Sequence, residues 1–190
     1  MNSIRLTTNK NFYFEGPVII EDNVFTDSRG LFFESWNEKD FCEIVDKKIR
    51  FVQDNFSFSK KGVLRGLHFQ VNPFAQGKLI RCVKGSIFDV IVDLRKNSPT
   101  FKQWAGIKLT DNNYQKLWVP EGFAHGFLTL SETAKVFYKV TEYWEKNHEL
   151  TLKWNDPQLA IDWGNTSNIK LSEKDYNGSL FKDLKNHLFI

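Results

Sequence analysis

Between residues 51 and 143 the chain reads as one candidate strand after another, short runs of five to nine residues punctuated by Gly, Pro, Asn and Ser, with no internal sequence repeat. The runs cover 51–57, 63–69, 78–83, 86–94, 104–109, 115–119, 124–130 and 135–143, with turns such as Lys84-Gly85, Asp111-Asn-Asn113 and Pro120-Glu-Gly122 between them. Connections of hairpin length leave no room for crossover helices. The pattern predicts an all-β fold, an antiparallel sandwich or barrel, and argues against βαβ units. An aromatic fraction of 15%, including 18 Phe, suits sheets packed face to face.

Around this block lie shorter signals. Runs at 12–20 and 30–35 flank the turn Asp27-Ser-Arg-Gly30. Asn37 is a helix N-cap, and Phe41, Ile44, Val45 and Ile49 follow at helical spacing, which predicts a short amphipathic helix over a sheet edge. Beyond Trp144 the β signal fades, Asn155-Asp-Pro157 turns, and Ser172-Glu-Lys-Asp175 has capping-box spacing that opens a short C-terminal helix. A length of 190 residues fits one domain, 1–190, with a helical segment from about 172.

Charge narrows the partners. Against 26 basic residues stand 23 acidic ones, a net charge of +3, too balanced to point to nucleic acid, although a small anion remains a fitting ligand. Cys42 and Cys82 form no CxxC pair, no apolar stretch reaches membrane-spanning length, and no Gly-rich dinucleotide or Walker sequence occurs. The expectation is a soluble cytoplasmic protein.

Chemistry concentrates in Val63-Leu-Arg-Gly-Leu-His-Phe-Gln70. Side chains alternate along a strand, so Arg65 and His68 face opposite ways unless the backbone bends, and Gly66 permits the bend. They then converge on one cavity; otherwise His68 is a core histidine with Arg65 at the rim. The position two after His68 is Gln70, so the H-x-H pair of a metal-binding barrel is missing and no metal is expected. Taken alone, Lys78 reads as a solvated strand end, His125 as a core histidine, and His148 and His187 as surface residues. Asp89 and Asp93 share a strand face and need partners, and either could orient a histidine. Tyr138 points inward with Val136 and Val140, and as an ordinary core tyrosine it would need only a partner for its hydroxyl.

Several segments together resemble one family, the dTDP-4-dehydrorhamnose 3,5-epimerases. They are Asp27-Ser-Arg-Gly-Leu-Phe-Phe-Glu34, Phe51-Val-Gln-Asp-Asn55, 63–70, Gln76-Gly-Lys-Leu79, 88–95, Ser98-Pro-Thr-Phe101, 118–127, Tyr138-Lys139, Trp154-Asn-Asp156 and Leu171-Ser-Glu-Lys-Asp175. The resemblance implies a cupin-type jelly-roll barrel with short peripheral helices, and an isomerase that inverts C3, C5 or both of a nucleoside-diphosphate 4-keto-6-deoxy sugar without a cofactor. It implies His68 as general base, Asp175 as its orienting carboxylate with Asp89 as the second candidate, Tyr138 as general acid, and Lys78 beside the C4 oxygen. Arg65 and Arg29 then read as diphosphate ligands. Glu34, Gln53, Asp54, Asn55, His125, Glu149 and Lys174 fall at further ligand positions. A homodimer is implied, with no nucleic-acid or membrane partner. Close variants of this reading are a C3-only epimerase and an epimerase of a GDP-linked 4-keto heptose. Readings of another class are a non-catalytic sugar-nucleotide-binding cupin and a metal-dependent cupin oxygenase.

Overall fold

A computed structural model describes residues 1–189, and thirteen strands dominate it. Six of them, β1 (Asn2–Thr7), β2 (Tyr13–Glu21), β5 (Gln53–Lys60), β7 (Lys78–Lys84), β10 (Gln115–Val119) and β12 (Thr133–Val140), form a sheet in the order β1-β2-β10-β7-β12-β5. Five others, β6 (Leu64–Gln70), β8 (Ser86–Asp93), β9 (Trp104–Thr110), β11 (Phe123–Thr129) and β13 (Glu149–Thr151), form a second sheet in the order β13-β6-β11-β8-β9. A separate hairpin joins β3 (Phe25–Asp27) to β4 (Gly30–Phe32). Every pairing within these sheets is antiparallel, as the spacing of the turns predicts.

Strand periodicity builds the layers. Along β8, Ile87 and Ile91 point between the sheets to meet Ile80, Leu117, Phe127 and Val136, while Val90 and Val92 point outward. That outer face is covered by the C-terminal segment through Leu152, Leu159, Trp163, Phe181 and Leu184. Strands buried on both faces explain the nearly continuous apolar runs.

Helix α1 (Glu38–Val45) starts at Asn37, whose side chain accepts the Asp40 N–H at 3.3 Å. It ends at Asp46 in the left-handed region, φ 48°, so Ile49 lies beyond it. The helix covers a sheet face and not an edge: Phe41 packs with Ile20, Leu79 and Trp118 from β2, β7 and β10, three strands inside the six-stranded sheet. Three strands lack a readable pattern, among them the three-residue β3. In β1 only Leu6 is buried, and β13 has three residues. Buried Asp22 pairs with Arg81 and Lys116, and the Lys116 ammonium also donates to the Ser35 carbonyl at 3.2 Å, tying down the strap between hairpin and α1. Among the described residues no helix is long and apolar enough to cross a membrane.

Candidate active site

Strand β6 sets the site's first feature. Its pairing with β11 runs His68 opposite His125 but Arg65 opposite Phe127, so β6 holds one residue more than its partner between these rungs. This bulge turns Arg65 and His68 to one side while Leu64, Leu67 and Phe69 stay in the outer core. Gly66 makes it possible. Its φ is +127°, and a Cβ there would meet the Gly126 Cα at 2.6 Å and the His125 carbonyl oxygen at 2.9 Å.

The inward side chains at this end of the barrel enclose a cavity of about 250 Å³. From the five-stranded sheet it receives His68 and Glu149; from the six-stranded sheet come Lys78, Tyr138, Gln53 and Asn55. An imidazole on one wall thus faces a phenol on the other. Gln76 and Trp144 complete the lining, both on loops. Strand periodicity speaks to residues on strands and is silent on these two.

Asp175 stands behind His68. Ser172 caps α2 (Glu173–Tyr176): its Oγ accepts the Asp175 N–H at 3.2 Å and donates to the Asp175 carboxylate at 2.8 Å. The other carboxylate oxygen lies 2.5 Å from His68 Nε2. With Asp175 accepting, Nε2 carries the proton and Nδ1 keeps the lone pair. Burial lowers the imidazole's proton affinity and outweighs the opposing pull of Asp175. Burial pushes the Asp175 carboxyl up, but the His68 hydrogen bond and charge, with Ser172, bring it below the ordinary value.

Lys78 is 9% exposed, so it is no solvated strand end, and its ammonium donates to the His68 carbonyl at 3.4 Å. Burial brings its pKa down to about 8, against the pull of Glu149 and Asp89. Tyr138 is pushed up by burial and then by Glu149, which keeps it a protonated phenol. Glu149, raised by burial, ends below the usual carboxylate range because Lys174 binds it at 2.6 Å.

The remaining positions divide. Arg65 is fixed at the cavity's flank, donating to Ser59 Oγ at 3.0 Å and to the Phe58 carbonyl at 3.3 Å. His125 lies deeper in the barrel and pairs with Asp89 at 2.8 Å, so Asp89 is not the carboxylate of His68. Of the two strand carboxylates Asp89 therefore holds a histidine, His125, whereas Asp93 holds none and is bound by Arg95, Ser98 and Thr100. Asp54 corrects the expectation of a ligand position. It alternates with Gln53 and Asn55, so its side chain leaves on the outer face and pairs with Lys139. Arg29 and Glu34 are exposed, on the β3–β4 hairpin and the strap after it, and do not line the cavity. His148 is half-buried against Phe74, with ring centroids 4.5 Å apart, and is not a plain surface residue. Among the described residues no three His, Cys, Asp or Glu side chains gather as a metal-ligand set.

Two antiparallel sheets closed on an apolar core, with titratable groups gathered at one end, define an enzyme of the cupin type. Residues 11–183 match the family model described as dTDP-4-dehydrorhamnose 3,5-epimerase, and the chain belongs to that family, whose members are isomerases. The dTDP-4-dehydrorhamnose 3,5-epimerase of Shigella flexneri is 52% identical over 166 residues, 87% of this chain and 91% of that one. The structure of dTDP-6-deoxy-D-glucose-3,5-epimerase from Legionella pneumophila, in complex with dTDP-4-keto-L-rhamnose, matches with TM-score 0.91 and 42% identity over 99% of this chain and 98% of that one. A 3′-monoepimerase from Streptomyces bikiniensis in complex with dTDP-quinovose matches with TM-score 0.85 and 27% identity over 90% and 86%.

Proposed function

We propose that the protein is a cofactor-independent 3,5-epimerase of a dTDP-linked 4-keto-6-deoxy sugar. The observation that carries this reading is the single cavity lined by His68, Lys78 and Tyr138, with base and acid on opposite sheets. A C–H beside a ketone becomes acidic only when the enolate oxygen is stabilised, and the buried Lys78 ammonium supplies that charge. His68 Nδ1 takes the proton, and Asp175 steadies the imidazolium that forms. Tyr138 returns a proton from the other face, inverting the carbon. Exchange of both groups with water resets them, so solvent hydrogen enters the sugar.

A cavity of about 250 Å³ is smaller than the roughly 300–1,000 Å³ of a pocket that swallows a whole drug-sized ligand. It suits the sugar ring, with the nucleotide along the mouth where the Trp144 indole, 54% exposed, offers a flat face. Arg65, Lys174 and Glu149 then meet the diphosphate end and its surroundings. Arg29 and Glu34 would contribute from a second copy. Support for a homodimer comes from the exposed hairpin, with Phe25 at 63% and Phe32 at 67%, and from edge strand β5, where Phe56 and Phe58 face outward. We read 1–190 as one domain and place it in the cytoplasm, where the free thiols of Cys42 and Cys82 persist.

The test offers the protein dTDP- and GDP-linked 4-keto sugars in heavy water and follows the ring protons. Deuterium at both C3 and C5 of the dTDP substrate is expected. Label at C3 alone would favour the monoepimerase reading, which the shared fold of the Streptomyces bikiniensis protein keeps in play. Tight dTDP binding with no label at all would leave a binding protein.

A further inference from the structure

Gln70 is the inward residue that follows His68 along β6, opposite Glu149 of β13, and the chemistry above gives it no part. It is 3% exposed, yet its amide is fully engaged. Oε1 accepts the Glu145 N–H at 2.7 Å, and Nε2 donates to the Tyr143 carbonyl at 3.1 Å and the Phe74 carbonyl at 2.6 Å. Tyr143 and Glu145 are the two chain neighbours of Trp144.

Gln70 is not the only tie around Trp144: Thr141 donates its N–H to the Gly77 carbonyl at 3.1 Å and accepts the Gly77 N–H at 2.8 Å, and the Trp144 side chain hydrogen-bonds Glu149. Residues 141–145 leave β12 as an irregular bend without a ladder of their own. The Trp144 N–H reaches Gln53 Oε1 at 3.3 Å, and Gln76 Nε2 donates to the Glu142 carbonyl at 2.6 Å. These two tie the loop to the cavity wall and to the facing loop 71–77. Gln70 alone grips both sides of the tryptophan and that facing loop at once. The task needs one acceptor and two donors within a single small group, which an amide has and a carboxylate, imidazole or thioether lacks.

We infer that Gln70 is a positioning residue for Trp144, holding the indole at the cavity mouth and thereby setting affinity for the nucleotide half of the ligand. The claim rests on the epimerase reading for its ligand but not for its geometry. Buried backbone groups lose their partners in Gln70→Met; Gln70→Glu keeps the size and the acceptor and places a carboxylate against two carbonyls.

The test measures both variants, Trp144→Ala and the double variants. Expected is a rise of about ten-fold in KM and in the Kd for dTDP, with kcat within about three-fold and the double variant no worse than Trp144→Ala alone. The fluorescence anisotropy assigned to residue 144, taken as the difference from Trp144→Phe, should fall in each Gln70 variant. Unchanged dTDP affinity with unchanged anisotropy overturns the inference. So does additivity of the two substitutions, or a fall in kcat as large as that in kcat/KM. Should Gln70→Met not fold, Gln70→Glu decides by the same readings. Absence of deuterium incorporation by the unaltered protein would defeat the epimerase reading, while the anisotropy would still decide the role of Gln70.

Discussion

At the residue scale, the environments of His68 and Lys78 set a pH window. Burial lowers His68 from its ordinary value, so the imidazole is already a free base in mildly acid solution. In the proposed mechanism Lys78 keeps its charge to hold the enolate, and near pH 8 half of that charge is lost. A plot of kcat/KM against pH should therefore rise on a limb below about 6.5 and fall near 8. Tyr138 cannot be the source of that alkaline limb, because burial moves the phenol further up from its ordinary position. In Lys78→Arg the guanidinium stays charged, so whatever activity survives should lose the limb near 8. A limb unmoved in that variant would assign it to another group. Removing the phenolic oxygen is the complementary experiment. Tyr138→Phe should cut kcat by about 10²- to 10⁴-fold with dTDP affinity nearly unchanged, measured by steady-state kinetics and calorimetry.

At the scale of elements, Gly66 couples stability to the site. Alternation alone puts Arg65 and His68 on opposite faces, and a glycine between them is the sequence's sign that alternation is broken there. In Gly66→Ala the new methyl is forced into the β11 backbone at a positive φ, so the bulge must open or the strand must shift. A loss of at least about 2 kcal/mol is expected, read as a drop of roughly 4–8 °C in melting temperature, together with weaker ligand binding as Arg65 turns away. A variant as stable and as tight as the original would mean that the bulge is not what aligns the two side chains. The same periodicity explains what could be read in advance. Eight apolar runs at hairpin spacing give the antiparallel architecture, and the Gln53-Asp54-Asn55 alternation already separates Asp54 from its neighbours. Pairing across the chain has no such signature. His68 meets Asp175 across 107 positions and His125 meets Asp89 across 36, partnerships made by sheet order and by the cap at Ser172. Trp144 and Gln76 escape for a further reason, since loops carry no period from which a direction can be taken.

At the scale of the molecule, the cavity of one chain lacks Arg29 and Glu34, two groups that resemblance assigns to it, besides the outward-facing Asp54. Arg29 is bound to Asp27 in the exposed hairpin, and Glu34 lies on the strap that Lys116 pins at Ser35. An arm held so firmly at its base does not need to fold back onto its own barrel, and its exposed apolar residues Phe25, Leu31 and Phe32 are what a second copy would cover. Arg29 would then serve the partner's cavity, a prediction that subunit mixing can decide. His68→Ala lacks the base, and Arg29→Ala lacks the ligand on the arm. When the two variants are unfolded and refolded together, about half the dimers are mixed, and each has one cavity with both His68 and an intact arm. About a quarter of all cavities should regain the original KM, although neither variant does so alone. If Arg29 instead serves its own chain, every cavity in the mixture lacks one group or the other, and mixing recovers nothing.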